Sequence, residues 1–136
     1  MRVSAFGALF DDQGRILCVK RNYGSRTWTT PGGWVESGEA PVQAAQREAY
    51  EETGYRVEVE HLIAVYCSPW MDDYVFFFQF RVLGYDEWQP NSEIAEIGYF
   101  EKDALPQPME VRAAISIHDA FEHIQGMVRV FHSDPG

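Results

Sequence analysis

The segment from Gly33 to Tyr55, GWVESGEAPVQAAQREAYEETGY, constrains this chain more than any other part of it. Ala44, Ala45 and Ala49 supply helix propensity, and Pro41 is tolerated in a first turn. They predict a helix over 40–53 that Gly54 caps. Residues three and four apart share a helix face, so Glu48, Glu51 and Glu52 project together, with Glu48 and Glu52 one turn apart. Like charges at that spacing oppose the helix by about 0.2–0.5 kcal/mol per pair. The negative end of the helix opposes each exposed acid by about 0.3–1 kcal/mol more. Arg47 offsets part of this, because Glu51 lies four residues on. The plain alternative is a solvated, Glu-rich surface. An acidic face opposed twice over points instead to a cation, and hard oxygen ligands suit Mg²⁺ or Mn²⁺.

Around that helix the chain reads as strands. Residues 2–10 and 15–21 are apolar and β-prone, and Asp11-Asp12-Gln13-Gly14 between them predicts a hairpin turn. Residues 22–27 form a loop, 28–30 a short strand, and Pro31-Gly32-Gly33 a break. Val57, Val59, Leu62 and Val65 predict a strand over 55–65. The run at 74–83, YVFFFQFRVL, is too apolar for an open sheet edge. A strand over 95–100 and a helix over about 109–125 follow, the latter with Ala114, Ile117, Phe121 and Ile124 as its stripe. The tail after Arg129 is expected to be loosely held. Strands mixed with two helices predict an α/β or α+β fold in one domain spanning 1–136.

Composition narrows the partners. Of 136 residues, 46% are hydrophobic and 15% aromatic, enough for a packed core. The net charge of −10 opposes unaided binding to nucleic acid, which needs Lys and Arg against phosphates. It suits an anionic substrate only where metal ions neutralise the site. Cys18 and Cys67 have no metal-ligand spacing and read as free thiols in a reducing cytosol. No apolar run approaches the ~20 residues of a membrane span. No signal-like segment is read at the N-terminus, so a soluble cytoplasmic protein is expected.

The acidic segment also resembles a known signature, the Nudix box G-x5-E-x7-R-E-U-x-E-E-x-G-U, where U is bulky and apolar. Gly33, Glu39, Arg47, Glu48, Glu51, Glu52 and Gly54 fill its fixed positions. Ala49 and Tyr55 depart from the two U positions, which touch packing rather than the carboxylates. The preceding Trp28-Thr29-Thr30-Pro31-Gly32-Gly33 and the later Glu93–Phe100 stretch are also similar to the family, so the resemblance runs from about Val3 to Phe121. It implies a three-layer α/β/α sandwich around a mixed β-sheet. It further implies a Mg²⁺-dependent hydrolase, with Mn²⁺ as an alternative ion, that cleaves a phosphoanhydride in a nucleoside diphosphate linked to another moiety.

On that resemblance Glu48 and Glu52 are the direct metal ligands. Glu51 binds directly or through water, and the carbonyl of Gly33 (or Gly32) is a further ligand. Arg47 orients the carboxylates, and Glu39 supports the loop or a second metal. The base is a box glutamate or one from a later loop, where Glu93 is favoured as base and Glu96 as metal ligand. Arg21 and Arg26 are candidates for the phosphates. Trp70 and Trp88, in the two long loops, are candidates for stacking a base, with Tyr23, Trp34 and Tyr66 as others. The four histidines show no mutual ligand spacing. Two rivals remain open: a module that binds a nucleotide metabolite without turnover, and an enzyme acting on the 5′ end of RNA. A homodimer, paired through the N-terminal hairpin or the 74–83 strand, is a further expectation.

Overall fold

The run 74–83 lies in the middle of the mixed sheet, with residues 74–80 covered on both faces and 81–83 exposed. In the computed structural model, which describes residues 1–136, it belongs to a strand over Asp73–Tyr85. Eight strands and two helices are formed. The order is β1 (Arg2–Ala8), β2 (Ile16–Arg21), β3 (Trp28–Thr29), β4 (Gly32–Trp34), α1 (Pro41–Thr53), β5 (Tyr55–Ser68), β6 (Asp73–Tyr85), β7 (Ile94–Phe100), α2 (Val111–Phe121) and β8 (Met127–Val130). A 3₁₀ turn at Pro69–Met71 joins β5 to β6.

The strands make two sheets. A mixed five-stranded sheet has the order β4-β1-β6-β5-β8, and a three-stranded antiparallel one has β3-β2-β7. In β6 the side chains alternate between two cores. Phe78 and Phe80 join Ala44, Ala45 and Ala49 of α1, whereas Phe77 joins Ile117 and Ala120 of α2. A helix therefore packs on each face of the mixed sheet, which is the α/β/α sandwich. β6 pairs with β5 along its length and with β1 over Asp73–Gln79, so its far end, with Val82, Leu83 and Tyr85 exposed, has a strand on one side only.

Four sequence expectations change. β1 and β2 touch as a hairpin only at its tip, through Phe10 and Ile16, and then diverge into separate sheets. Gly32 and Gly33 do not break the chain. They pair with Phe6 and Ala5 of β1, at places where a side chain would have no room. β5 runs on to Ser68, beyond the expected end at 65. The tail is held: β8 pairs in parallel with Ala64–Cys67 of β5, and the Phe131 N–H donates to the Cys67 carbonyl at 2.8 Å.

An ionic knot fastens that tail. Asp119 of α2, only 2% exposed, accepts the Tyr66 hydroxyl at 2.7 Å and Nη2 of Arg129 at 2.9 Å. Removing the carboxylate leaves both donors without this acceptor, and an unmet buried group costs about 1–3 kcal/mol. Asp119→Ala will therefore lower stability by about that amount in urea melts. A midpoint equal to the parent's would show that the knot contributes nothing.

Candidate active site

An acidic cleft forms where α1 meets β4 and the loop before β7. Pro41 starts α1, and the Gln43 side-chain oxygen accepts the Ala40 N–H at 2.8 Å. Gly54 ends the helix in the left-handed conformation, φ 78°, with its N–H bonded to the Tyr50 carbonyl. Glu48 and Glu52 thus stand one turn apart beside the backbone of β4. A Cβ on Gly33 would lie 2.8 Å from the Glu48 carboxyl carbon, so only glycine lets the strand come this close.

Glu93 reaches the same place from the other sheet. The Asn91 side-chain oxygen accepts the N–H groups of Glu93 and Ile94, each at 2.9 Å, and the Asn22 N–H donates to the Glu93 carbonyl at 2.7 Å. One carboxylate oxygen from each of Glu48, Glu52 and Glu93 lies within 4.8 Å of the others. Glu52 is 7% exposed and accepts the Gly32 N–H at 3.1 Å. Burial, the neighbouring Glu48 carboxyl and the charges of Glu48 and Glu93 push its pKa well above the ordinary carboxylate value, against the pull of the Gly32 N–H. A cation would stabilise the charged form of a buried acid crowded by two others, which the Gly32 N–H alone does not offset. The all-oxygen donor set fits a hard divalent ion.

Arg47 holds the rim. Its guanidinium forks onto Glu39 at 2.8 and 3.1 Å and reaches Glu48 at 2.9 Å, Glu51 at 3.4 Å and the Trp34 carbonyl at 3.2 Å. The Arg47 bonds, with the Glu36 N–H, hold the Glu39 pKa below the ordinary value. Glu39 therefore braces the loop. Lysine cannot reproduce the fork. Arg47→Lys will lower stability by about 1–3 kcal/mol and weaken cation binding, because Glu48 loses its brace. A metal titration followed by thermal melting checks both effects, and an unchanged affinity would remove Arg47 from the site.

The other candidates are placed as follows. Glu51 is exposed on the Arg47 side, outside the carboxylate trio. Glu96 is not brought to the trio: it lies exposed on β7 across from Lys20, beyond Glu93 on an extended segment where alternate residues face opposite ways. Arg21 donates to the Thr27 hydroxyl at 3.0 Å and lines the cleft together with Tyr23, Gly32, Glu52 and Glu93. Arg26 turns outward to Asn22. Trp70 lies in an outer groove with Met71 and Met109, and Trp88 packs beside Gly54 at the end of α1. Neither tryptophan reaches the cleft.

A cavity of about 150 Å³ adjoins the cleft and shares Arg21 and Thr29 with it. Its walls include Trp28, Tyr66, Phe77, Arg112, Ser116 and Phe131. Of these, Tyr66 was expected near a base, whereas Arg112, Ser116 and Phe131 were not. The alternation in Val128-Arg129-Val130-Phe131 was the available signal for a strand that could carry Phe131 there.

Comparison with known proteins agrees with this geometry. The NUDIX domain family matches residues 1–120. A MutT-like protein of Streptomyces ambofaciens is 32% identical over 120 residues, 88% of this chain and 77% of its own. An ADP-ribose pyrophosphatase of Methanocaldococcus jannaschii is 32% identical over 109 residues, 76% of this chain and 64% of its own. The crystal structure of an ADP-ribose pyrophosphatase from Streptococcus suis superposes with a TM-score of 0.79 at 27% identity, covering 94% of this chain and 98% of that one. The chain belongs to the Nudix family.

Proposed function

We propose that this chain binds Mg²⁺, or Mn²⁺ in its place, at Glu48, Glu52 and Glu93, and hydrolyses the phosphoanhydride of a nucleotide. Its class of activity is that of a Nudix pyrophosphohydrolase acting on phosphoanhydrides. The observation that carries the reading is the convergence of three carboxylates beside a cavity walled by aromatic side chains. Glu51 and the Gly33 carbonyl are the remaining ligand candidates at the rim. A bound divalent ion would neutralise phosphate charge and lower the pKa of a water at the site.

The protein's own groups do the rest. Glu93 is the exposed member of the trio and takes the proton of the attacking water on a carboxylate oxygen. Glu52, buried and fixed by the Gly32 N–H, would hold the ion where the phosphates approach. Arg21, on the wall shared by cleft and cavity, donates to a phosphate oxygen. The cavity takes the base, and the substrate is a nucleoside diphosphate joined to a further group: a nucleoside triphosphate, a nucleotide sugar or an ADP-ribose type compound. No helix is long and apolar enough to cross a membrane. Free Cys18 and Cys67 support a cytoplasmic setting.

The test is product chromatography with Mg²⁺ on nucleoside triphosphates, 8-oxo-dGTP, ADP-ribose, dinucleoside polyphosphates and nucleotide sugars. Cleavage of one group, abolished by chelator, is the expected result. The same ion will raise thermal stability, by about 2.7 kcal/mol at a hundredfold excess over its Kd. Binding of a nucleotide without any product would replace the hydrolase with a sensing module.

A further inference from the structure

Phe131 lies beyond residue 120, where the family match ends, yet it stands in the wall of the aromatic cavity. Its ring lies nearly parallel to that of Tyr66, at 13° with centroids 6.2 Å apart. The Arg112 guanidinium sits over it, 5.6 Å from the ring centre. Arg112 is itself held by the Ser68 hydroxyl at 2.8 Å and the buried Asp73 carboxylate at 3.4 Å. Each neighbour is therefore fixed from another element, and the ring is placed rather than loose.

The way the tail is fastened explains that placement. Met127–Val130 pairs with Ala64–Cys67, and the Phe131 N–H binds the Cys67 carbonyl. On the other side Asp119 holds both Arg129, two residues before Phe131, and the Tyr66 hydroxyl. One buried carboxylate thus sets the tail strand and the Tyr66 ring relative to each other. The cost of ordering this terminal segment is met by contacts that all lead to the cavity.

We infer that the C-terminal strand β8 and Phe131 form a wall of the substrate site, with Phe131 as a specificity-determining residue that packs against the planar base of the nucleotide. This rests on the hydrolase reading above for the identity of the ligand. Asp119 and Arg129 are positioning residues that act through the ring. Aromatic surface suits a base because every base has a π face, and removing one such contact weakens binding by roughly 5- to 150-fold. The cavity is smaller than the ~300 Å³ at which pockets for whole drug-sized ligands begin, and so suits one ring system rather than a whole nucleotide.

The experiment compares the parent protein with Phe131→Leu, which keeps apolar volume but no ring, and Phe131→Tyr, which keeps the ring. KM and kcat are measured on the nucleotide the parent cleaves best. Inorganic pyrophosphate, which has no base, serves as a competitive inhibitor. The expected result is a KM raised roughly 5- to 150-fold in Phe131→Leu with kcat changed far less, a KM nearer the parent's in Phe131→Tyr, and an unmoved inhibition constant for pyrophosphate. An unchanged KM in Phe131→Leu overturns the inference. So does an equal loss of affinity for nucleotide and pyrophosphate, or loss of cooperative melting in Phe131→Leu alone, since the ring then serves the fold. If the parent cleaves no nucleotide, the hydrolase reading fails by itself. The thermal shift produced by ADP-ribose then reads the same comparison of variants.

Discussion

Replacing Glu52 by glutamine will reduce turnover by more than about a hundredfold, the upper end of what losing an outer partner of a metal ligand costs. Glu52 stands at the centre of the trio: its carboxylate is buried, is fixed by the Gly32 N–H and lies among the oxygens of Glu48 and Glu93. The substitution keeps shape and removes charge. In the metal-free protein it will act in the opposite direction and raise stability near neutral pH. The sign follows from linkage. The folded pKa of Glu52 lies above the ordinary value of 4.5. Folding is therefore favoured by protonation, and that contribution is complete below the unfolded pKa. It is lost as pH rises through the folded pKa. Thermal melts in chelator will thus fall as pH climbs from about 4.5. Glu52→Gln will flatten that slope, because it cannot ionise. Saturating Mg²⁺ will reverse the trend in the parent, since only the charged carboxylate binds the ion. Full activity in Glu52→Gln, or a slope identical to the parent's, would sink the assignment.

Glu93→Gln will lower kcat by about 10²–10⁴-fold, the range expected when a positioned base is lost. Glu96→Gln will leave kcat close to the parent value. Glu93 lies just before β7 and Glu96 near its start, and they were nearly equivalent candidates by position. The structure separates them: Glu93 joins Glu48 and Glu52 within 4.8 Å, and Glu96 faces Lys20. A large loss with Glu96→Gln and none with Glu93→Gln would exchange their roles.

The rise of proton affinity at Glu52 and the order of the chain around it share one cause. The helix was legible because its information is local. Alanines, Pro41 and Gly54 set its ends, and the 3.6-residue period alone puts Glu48 and Glu52 on one face. The burial of residues 74–80 was legible for a similar reason: a stretch covered on both faces reads as an apolar run, broken here only by Gln79. The signature at Gly33–Gly54 then fixed the class of chemistry, since its fixed positions are the residues that converge or brace the rim.

Only the tertiary structure decided which distant groups meet those acids. Glu93 comes from 41 residues beyond Glu52 in sequence, brought over by the pairing of β7 with β2, and no local pattern distinguishes it from Glu96. Gly32 and Gly33 read as a break, because glycine is scarce in strands. They prove to be a strand whose missing side chains let β4 lie on Phe6 and Glu48. Trp70 and Trp88 looked suited to a base by composition and loop position, yet Tyr66 and Phe131 line the cavity instead. Phe131 reaches it through parallel pairing of β8 with a strand some sixty residues earlier. Parallel pairing and the Asp119 knot are long-range, with closure costs and rewards that no window of sequence contains. The sequence determined the helix, the central strand and the acids; the fold determined their partners.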